Sequence, residues 1–212
     1  MGITQAFVLA GGKGERLKPL TDNIPKPLVK VKGKAILEYG VELLAKHGVK
    51  EIILGVGHMH EQIQQHFGDG SKFGVSIVYS VETEPLGTGG ALKQAEEMLN
   101  DRFFMLNGDN IANYDLTEQV KTHSENNATV TLSLAEVDEV SSYGVAKLEN
   151  QKIIEFVEKP SKEEAPSNFV NAGCYVIEKT ALSLMPDNFN LIEKTMFPKL
   201  AEQGKLYSHK HK

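Results

Sequence analysis

A glycine-rich segment comes directly after the first apolar run of the chain, with Gly11, Gly12 and Gly14 close together. Backbone N–H groups free of neighbouring side chains can line a pocket for an anion such as a phosphate. Two standard motifs do not fit, because a P-loop places Ser or Thr after Gly-Lys and a dinucleotide fingerprint needs a third glycine where this chain has Leu17. The segment indicates an anion site, although a glycine turn without a ligand stays open on this motif alone.

Two cations and a carboxylate could complete such a site. Lys26 stands between Pro25 and Pro27, whose fixed φ angles define its position, and Arg16 adds a second permanent positive charge. Together they suit a triphosphate and the charge that develops during phosphoryl or nucleotidyl transfer. Asp109 follows another apolar run, where a carboxylate facing phosphates could hold Mg²⁺. A solvated turn lysine and a turn-forming aspartate are the alternatives.

The elements that must position these residues alternate between strand and helix in the first half of the chain. Short apolar runs and apolar residues at helical spacing predict strands at 3–10, 51–56, 75–81 and 103–106 and helices at 36–44, 59–67 and 92–99. Such alternation builds parallel βαβ units. It predicts an α/β fold with a doubly wound sheet and helices on both faces, in which ligands gather beyond the carboxyl ends of the strands.

The second half changes rhythm, which predicts a mostly parallel but mixed sheet. Strand patterns cover 128–137 and 169–177, a helical pattern covers 192–200, and 144–148 faces 153–157 across 149–151 as a hairpin. No repeat or flexible linker divides the chain. A single domain over residues 1–212 is therefore expected.

Composition limits the classes of function. The 212 residues include 23 Lys and Arg against 28 Asp and Glu, a net charge of -5, so a nucleic-acid partner is not expected. Cys174 is the only cysteine, which excludes an intramolecular disulfide and favours the reducing cytoplasm, and no apolar run could span a membrane. His58-x-His60 and His209-x-His211 are interpreted as solvated positions, since nothing completes a tetrahedral zinc site.

Seven motifs, taken in order, resemble those of the sugar nucleotidyltransferases, also called NDP-sugar pyrophosphorylases. Each motif alone would be weak, but the ordered set is highly specific and covers essentially the whole chain. Towards the end, the stretch with Phe197-Pro198-Lys199-Leu200 and Lys205-Leu206-Tyr207 resembles mannose-1-phosphate guanylyltransferases, and heptose- and N-acetylmuramate-phosphate enzymes share much of it. The seven motifs are Gly11-Gly12-x-Gly14-x-Arg16-Leu17-x-Pro19-Leu20-Thr21, Pro25-Lys26-Pro27-Leu28, Glu84-Pro85-Leu86-Gly87-Thr88-Gly89-Gly90, Asn107-Gly108-Asp109, Tyr143-Gly144-Val145, Val157-Glu158-Lys159-Pro160 and Asn171-Ala172-Gly173.

The resemblance implies a Rossmann-like nucleotidyltransferase fold, with a nucleotide-binding part at about 1–112 and a sugar-phosphate-binding part at about 113–212. It also implies a Mg²⁺-dependent enzyme that converts a nucleoside triphosphate and a sugar 1-phosphate into an NDP-sugar and pyrophosphate. The site pattern assigns Arg16, Lys26 and Asp109 to catalysis, with Asp109 as the metal ligand. The implied sugar-phosphate-binding residues are Gly144, Glu158, Lys159 and Asn171, and the implied nucleotide-binding residues are Leu9, Ala10, Gly11, Gly12, Gly14, Glu82, Pro85 and Gly87.

The choice of base depends on Glu82, which ends the third predicted strand. Uridylyl and thymidylyl relatives commonly place a glutamine there. Guanine presents two adjacent donors, N1–H and N2–H₂, and a carboxylate can accept both. Glu82 therefore favours GTP, with mannose 1-phosphate as the favoured acceptor. UTP or dTTP with glucose, heptose or N-acetylmuramate phosphates stays open, as does an exposed Glu82 that touches nothing.

The end of the sequence qualifies the expected activity. Family members usually continue beyond the strand at Leu206-Tyr207 into a Trp-x-Asp-x-Gly segment that supplies a second metal ligand, and this sequence stops at Lys212 without it. The resemblance thus implies a truncated C-terminal end, with weak metal binding or a low kcat. A nucleotide-sugar-binding regulatory subunit with little turnover is the alternative, and a homo-oligomer is possible. An NAD-dependent oxidoreductase is disfavoured, because Gly55-Val56-Gly57-His58 offers no acidic ribose ligand.

Overall fold

The computed structural model describes residues 2–211, which contain eleven strands and five α-helices. The strands are β1 (Gln5–Leu9), β2 (Lys30–Val31), β3 (Lys34–Ala35), β4 (Glu51–Val56), β5 (Ser76–Val81), β6 (Arg102–Asn107), β7 (Val130–Glu136), β8 (Gly144–Glu149), β9 (Lys152–Glu158), β10 (Phe169–Glu178) and β11 (Leu206–Lys210). The helices are α1 (Ile36–Lys46), α2 (His60–Phe67), α3 (Gly87–Gln94), α4 (Leu116–Glu125) and α5 (Ile192–Glu202).

Nine strands form one sheet in the order β5-β4-β1-β6-β10-β7-β11-β9-β8, and β2 and β3 pair separately. Strands β5, β4, β1 and β6 are parallel. Strand β10 lies antiparallel between β6 and β7, β11 is parallel to β7, and the β8–β9 hairpin closes the far edge. The predicted doubly wound α/β fold with a mixed sheet is confirmed.

Helices cover both faces of the sheet because successive strand side chains point to opposite sides. On one face, Phe7 and Met105 belong to a buried cluster with Leu92 of α3 and Phe197 of α5. On the other face, their strand neighbours pack with residues of α1, α2 and α4, namely Val8, Leu106, Leu37, Leu44, Ile63 and Leu116. Within residues 2–211, none of the helices has both the length and the apolar character needed to cross a membrane.

Three local predictions are corrected by the structure. The helix predicted at 92–99 begins earlier, because α3 spans Gly87–Gln94 and a separate 3₁₀ turn covers Glu96–Met98. Helix α4 was not predicted, although Asp115 caps it through a hydrogen bond from the Glu118 N–H to Oδ1 at 3.0 Å. Its polar face conceals the apolar spacing on which the sequence prediction depends. The hairpin turn is shorter than the predicted 149–151, because Glu149 still pairs with Lys152 and Asn150 adopts a positive φ of 57°.

The parallel strands bring four loops to one edge of the sheet. Strands β1, β4, β5 and β6 end at Leu9, Val56, Val81 and Asn107, and parallel alignment places these carboxyl ends together. Residues separated by a hundred positions in sequence thereby become neighbours. This edge is where a doubly wound fold is expected to bind a ligand.

At the edge of the sheet opposite to these carboxyl ends, a cluster of polar side chains joins α4 to β6 and β10. The fully buried His123 imidazole contacts Thr131 Oγ1 at 2.9 Å and Glu178 Oε1 at 3.1 Å. Glu178 also accepts a hydrogen bond from Arg102 Nε at 2.5 Å. Burial lowers the pKa of His123, opposed by the Glu178 carboxylate and assisted by the Arg102 charge.

We expect His123 to make the protein less stable in mild acid. The pKa of an unfolded histidine is about 6.5, whereas the pKa of folded His123 is lower. As the pH falls from 7 to 5, the unfolded state therefore binds more protons than the folded state, and the free energy of unfolding falls. In His123→Asn this fall should be smaller than in the wild type by about 1 kcal/mol. Urea denaturation at both pH values measures the difference, and equal losses in the two proteins would contradict the expectation.

Candidate active site

A cleft of about 820 Å³ opens at the carboxyl edge of the parallel strands. Its wall combines the loop after β1, the proline-bracketed lysine, the segment after β5 and the turn after β6. Nine of the residues predicted for the site line it: Leu9, Ala10, Gly11, Gly12, Lys26, Glu82, Pro85, Gly87 and Asp109. The fold thus brings seven of the eight predicted nucleotide-binding residues, all but Gly14, to one place with Lys26 and Asp109, while their roles in binding stay predictions.

The loop after β1 packs tightly against the segment after β5. A Cβ on Gly11 would stand 2.7 Å from Glu82 Oε1 and 3.4 Å from the Gly57 nitrogen, so only glycine fits there without displacement. A Cβ on Gly12 would meet nothing within 4 Å. A side chain at Gly11 would therefore displace the Glu82 carboxylate, whereas the space beside Gly12 is open to a ligand.

Glu82 is held in place from two sides. Its Oε2 accepts a hydrogen bond from the Leu86 N–H at 3.1 Å, and its Oε1 lies over Gly11. Burial raises the pKa of this carboxyl group, and the Leu86 N–H partly opposes that effect. A carboxylate has about four lone-pair positions. Glu82 can therefore accept further hydrogen bonds from a ligand that reaches it in the cleft.

The predicted cation and the predicted metal ligand form an ion pair. Lys26 Nζ lies 2.5 Å from Asp109 Oδ2, with exposed side-chain fractions of 22% and 40%. Lys26 opens a short 3₁₀ turn over Lys26–Leu28, and the buried Pro27 anchors that turn. The two charges neutralise each other in a position that both solvent and a ligand can reach.

The oxygen atoms of Asp109 and its neighbours suit a hard cation that a bound ligand also coordinates. Among residues 2–211, no group of three or more His, Cys, Asp or Glu side chains could hold a metal alone. Asn107, which also lines the cleft, has a buried Oδ1 that accepts no hydrogen bond from any part of the described chain. One carboxylate and nearby amide oxygens suit Mg²⁺ that keeps water and phosphate ligands.

The structure does not bring Arg16 and Gly14 into the cleft lining. Arg16 is exposed on the 3₁₀ turn Glu15–Leu17. Gly14 has a positive φ of 66°, and a Cβ there would meet Lys26 Cβ at 2.9 Å and Thr21 Cγ2 at 3.0 Å. Gly14 thus lets the loop pass close beside Lys26, which is a packing role that the motif did not reveal. The catalytic role of Arg16 stays a prediction.

The predicted sugar-phosphate residues form a second group, on the β8–β9 hairpin and β10. Gly144 pairs with Glu158 across the hairpin, and a Cβ on Gly144 would stand 2.8 Å from Glu158 Oε2. Glu158 Oε1 lies 3.5 Å from Lys159 Nζ. Asn171 donates a hydrogen bond from Nδ2 to the Tyr175 hydroxyl at 2.9 Å. None of the four predicted residues lines the cleft itself.

Several cleft residues were absent from the predicted site. Thr88 and Asn107 belong to motifs that were recognised, so the sequence held a signal for both. Phe189 lines the cleft with 61% of its surface exposed, and no motif points to it. His58 and His60 also line the cleft: His58 is exposed, as interpreted from the sequence, and the half-buried His60 contacts the Gly57 carbonyl oxygen through Nδ1 at 3.2 Å.

The second histidine pair, interpreted as solvated, is half-buried and has partners within the protein. His209 Nδ1 lies 3.0 Å from Thr122 Oγ1, and His211 Nε2 lies 2.7 Å from Ser133 Oγ. Burial, followed by the neighbouring His209, lowers the pKa of His211 to about 4. These side chains fasten β11 to α4 and β7, which explains why polar residues tolerate a half-buried position.

A doubly wound sheet with a glycine-lined cleft at its carboxyl edge is typical of α/β proteins that bind a ligand at that edge. The chain belongs to the nucleotidyl transferase family, whose family model matches residues 5–211. This confirms the resemblance found in the motifs.

Named relatives show how broad this family is. The chain is 43% identical over 210 residues to a mannose-1-phosphate guanyltransferase of Yarrowia lipolytica, covering 96% of this chain and 57% of that protein. It is 38% identical over 216 residues to a UTP–glucose-1-phosphate uridylyltransferase of Synechocystis, covering 94% and 56%. The chain thus spans little more than half the length of these relatives. The crystal structure of HddC from Yersinia pseudotuberculosis with GMP-PN is similar at a TM-score of 0.81 and 28% identity, covering 99% of this chain and 91% of that one.

The two neighbouring glycines provide a matched test of the cleft. Gly11→Ala should displace the Glu82 carboxylate and lower the free energy of unfolding by about 1 kcal/mol, because the atom that its Cβ would meet ends a flexible side chain. Gly12→Ala should leave stability within about 0.5 kcal/mol and yet weaken triphosphate binding, because its Cβ would occupy the open space of the ligand. Urea denaturation and calorimetric titration measure the two effects. Unchanged nucleotide affinity in Gly12→Ala would show that the ligand does not approach this loop.

Proposed function

We propose that this chain transfers a nucleotidyl group from a nucleoside triphosphate to a sugar 1-phosphate. The observation that carries the proposal is the Lys26–Asp109 ion pair, which lines the same cleft as the Gly11–Gly12 loop and the segment after β5. That position suits the phosphates of a nucleotide whose base lies toward Glu82. The Yarrowia and Synechocystis relatives carry the names of enzymes that use sugar 1-phosphates, which supports the same chemistry.

The reaction would proceed by direct displacement. A phosphate oxygen of the sugar 1-phosphate attacks the α-phosphorus, one P–O bond forms, and the bond to the β-phosphate oxygen breaks to release pyrophosphate. The attacking oxygen is already an anion, so no base is needed to remove a proton. Catalysis then rests on alignment and neutralisation of charge, which is the usual situation in phosphoryl transfer.

The charges of the cleft favour a divalent cation as a cofactor. The lining holds the carboxylates of Glu82, Glu84 and Asp109 against two lysines, Lys13 and Lys26. A bare triphosphate would be poorly balanced by this set. Asp109, with phosphate oxygens and water, would hold Mg²⁺, which neutralises the phosphates when bound. Lys26 would then leave Asp109 and pair with phosphate oxygens.

The proposed nucleotide is GTP and the proposed sugar is mannose 1-phosphate. Glu82 supports the guanine base, because an ionised carboxylate can accept from both donors on the guanine edge. The Yarrowia relative is named for mannose 1-phosphate and guanylyl transfer, and the Yersinia structure holds GMP-PN. UTP with glucose 1-phosphate is the alternative that the Synechocystis relative supports.

A pyrophosphate-release assay over a panel of triphosphates and sugar 1-phosphates, with and without Mg²⁺, tests the proposal. We expect Mg²⁺-dependent release, with kcat at least about 100-fold lower in Asp109→Asn. Asp138→Asn, at an exposed carboxylate outside the cleft, is the matched control. Nucleotide binding without release from any pair would support the regulatory-subunit alternative and overturn the enzyme.

Base selection by Glu82 has its own test. In Glu82→Gln the preference for GTP over UTP, measured as the ratio of kcat/KM values, should fall about tenfold, because one charged hydrogen bond to guanine is lost. Glu61→Gln, at an exposed glutamate of α2 outside the cleft, should keep the ratio. A ratio that does not move in Glu82→Gln means that Glu82 does not select the base.

A further inference from the structure

Helices α3 and α5 begin side by side, and each supplies the cap that the other lacks. Neither helix has a side-chain cap from its own N-cap residue, Leu86 or Leu191. The backbone carbonyl of Asn190 accepts hydrogen bonds from the N–H groups of Gly89 at 2.9 Å and Gly90 at 3.4 Å. Thr88 Oγ1 in turn accepts one from the first N–H group of α5 at 3.0 Å. The first turns of the two helices are therefore locked together.

The hydroxyl group of Thr88 also ties down a carboxylate. Thr88 Oγ1 donates its proton to Glu193 Oε2 at 2.7 Å while it accepts from the α5 backbone. Thr88 lines the cleft, yet its hydroxyl is already engaged as both donor and acceptor. The polar atom of Thr88 therefore serves contacts within the protein.

The glycines around Thr88 make this contact possible. A Cβ on Gly87 would stand 2.5 Å from the Asn190 carbonyl oxygen, and a Cβ on Gly89 would overlap the Asn190 side chain. Asn190 itself is buried, and its side chain bonds to the carbonyls of Pro186 and Asn188. The glycines of Gly87-Thr88-Gly89-Gly90 therefore serve the approach of α5 to α3.

Glu193 lies on the side that faces the predicted sugar-phosphate residues. Burial raises the pKa of Glu193, its hydrogen bond with Thr88 opposes this, and the charges of Glu158 and Lys159 act on it in opposite directions. Helix α5 also packs on β9, the strand that ends at Glu158, with the rings of Phe156 and Phe197 in edge contact at 5.3 Å between centroids. Any shift of α5 would be transmitted to Glu158 and Lys159.

We propose that the hydrogen bond between Thr88 and Glu193, here called the Thr88–Glu193 latch, is a positioning contact that sets the distance between the nucleotide cleft and the sugar-phosphate residues. This inference rests on the proposed function, since only a transfer between two bound substrates needs that distance fixed. In-line transfer requires reacting atoms within about 3–3.5 Å, and a displacement of about 1 Å can cost on the order of 100-fold in rate. Thr88 and Glu193 act through alignment and do not touch the reacting atoms.

The test compares kcat and the two KM values across four variants of the whole chain. Thr88→Val and Glu193→Ala should each lower kcat at least about tenfold, with both KM values within about threefold of wild type. The double variant should be no slower than the slower single variant, because both changes remove the same Thr88–Glu193 hydrogen bond. Thr88→Ser keeps a hydroxyl and should recover most of the lost kcat.

Two matched controls separate alignment from simple loss of stability. Thr122→Val removes a hydroxyl that contacts His209 in α4, and Glu178→Ala removes a carboxylate that contacts Arg102 and His123. Both lie outside the cleft and outside the second group. They should lower the melting temperature without lowering kcat at a temperature where the protein stays folded.

Each outcome decides the proposal. An unchanged kcat in Thr88→Val beside a lowered melting temperature makes the latch purely structural and overturns it. A rise confined to KM for the sugar 1-phosphate means direct contact with that substrate and also overturns it, as does an additive double variant. If the wild type binds nucleotide but turns over no substrate pair, the proposed function fails first and the latch fails with it. Active wild type with unaffected variants rejects the latch alone.

Discussion

Strand β10 holds the two halves of the sheet together. It pairs with β6 of the parallel half and with β7 and β8 of the mixed half, so its backbone groups serve both. Tyr175 and Cys174 at its centre are fully buried, and burial raises the pKa of the Cys174 thiol to about 12. Asn171, at the start of the same strand, belongs to the second group of predicted residues. The distance between the cleft and the second group is therefore first a property of β10, which pairs with strands of both halves.

The shift in register within β10 shows how one strand serves two neighbours. Pairing with β7 is irregular between Asn171 and Tyr175, and Gly173 in this interval has a positive φ of 79°. An irregularity of this kind bends a strand and redirects its side chains. Asn171 can consequently bond to the Tyr175 hydroxyl while Ala172 accepts a hydrogen bond from Asn110, next to Asp109. The bend therefore links the second group to the carboxyl end of β6, the strand that precedes Asp109.

Electrostatics explains why the ion pair lies where it does. Lys26 and Asp109 come from loops that approach each other only because β1 and β6 are parallel neighbours. Without a partner, either charge would need full hydration in a confined cleft. The pair satisfies both, and its exposure keeps the interaction weak enough for a highly charged ligand to replace it. The neutral pair is thus compatible with a cleft that binds anions only together with a cation.

Much of the fold was predictable because buried parallel strands leave a strong mark in sequence. The apolar run of β4 at Glu51–Val56 was predicted with the bounds that the structure has, since both of its faces are covered. Helix α4 was missed because half of its surface is polar and its buried Gln119, Thr122 and His123 do not register as apolar. A helix whose buried side chains are polar and hydrogen-bonded within the protein is not detected by a search for apolar residues at helical spacing.

In the candidate site, sequence reasoning meets a different limit: it does not show which contact a glycine motif serves. Gly12 and Gly89 stand in motifs of similar appearance, yet the first faces open space and the second faces the Asn190 side chain. A glycine signals close approach, but the sequence does not say whether a ligand or another segment approaches. Likewise Phe189 and Glu193 become neighbours of the cleft only through the contact between α3 and α5, which no local pattern encodes. The motifs were enough to predict where the cleft lies. The contacts that set its geometry depend on which distant segments pack against the glycines, and the motifs do not contain that information.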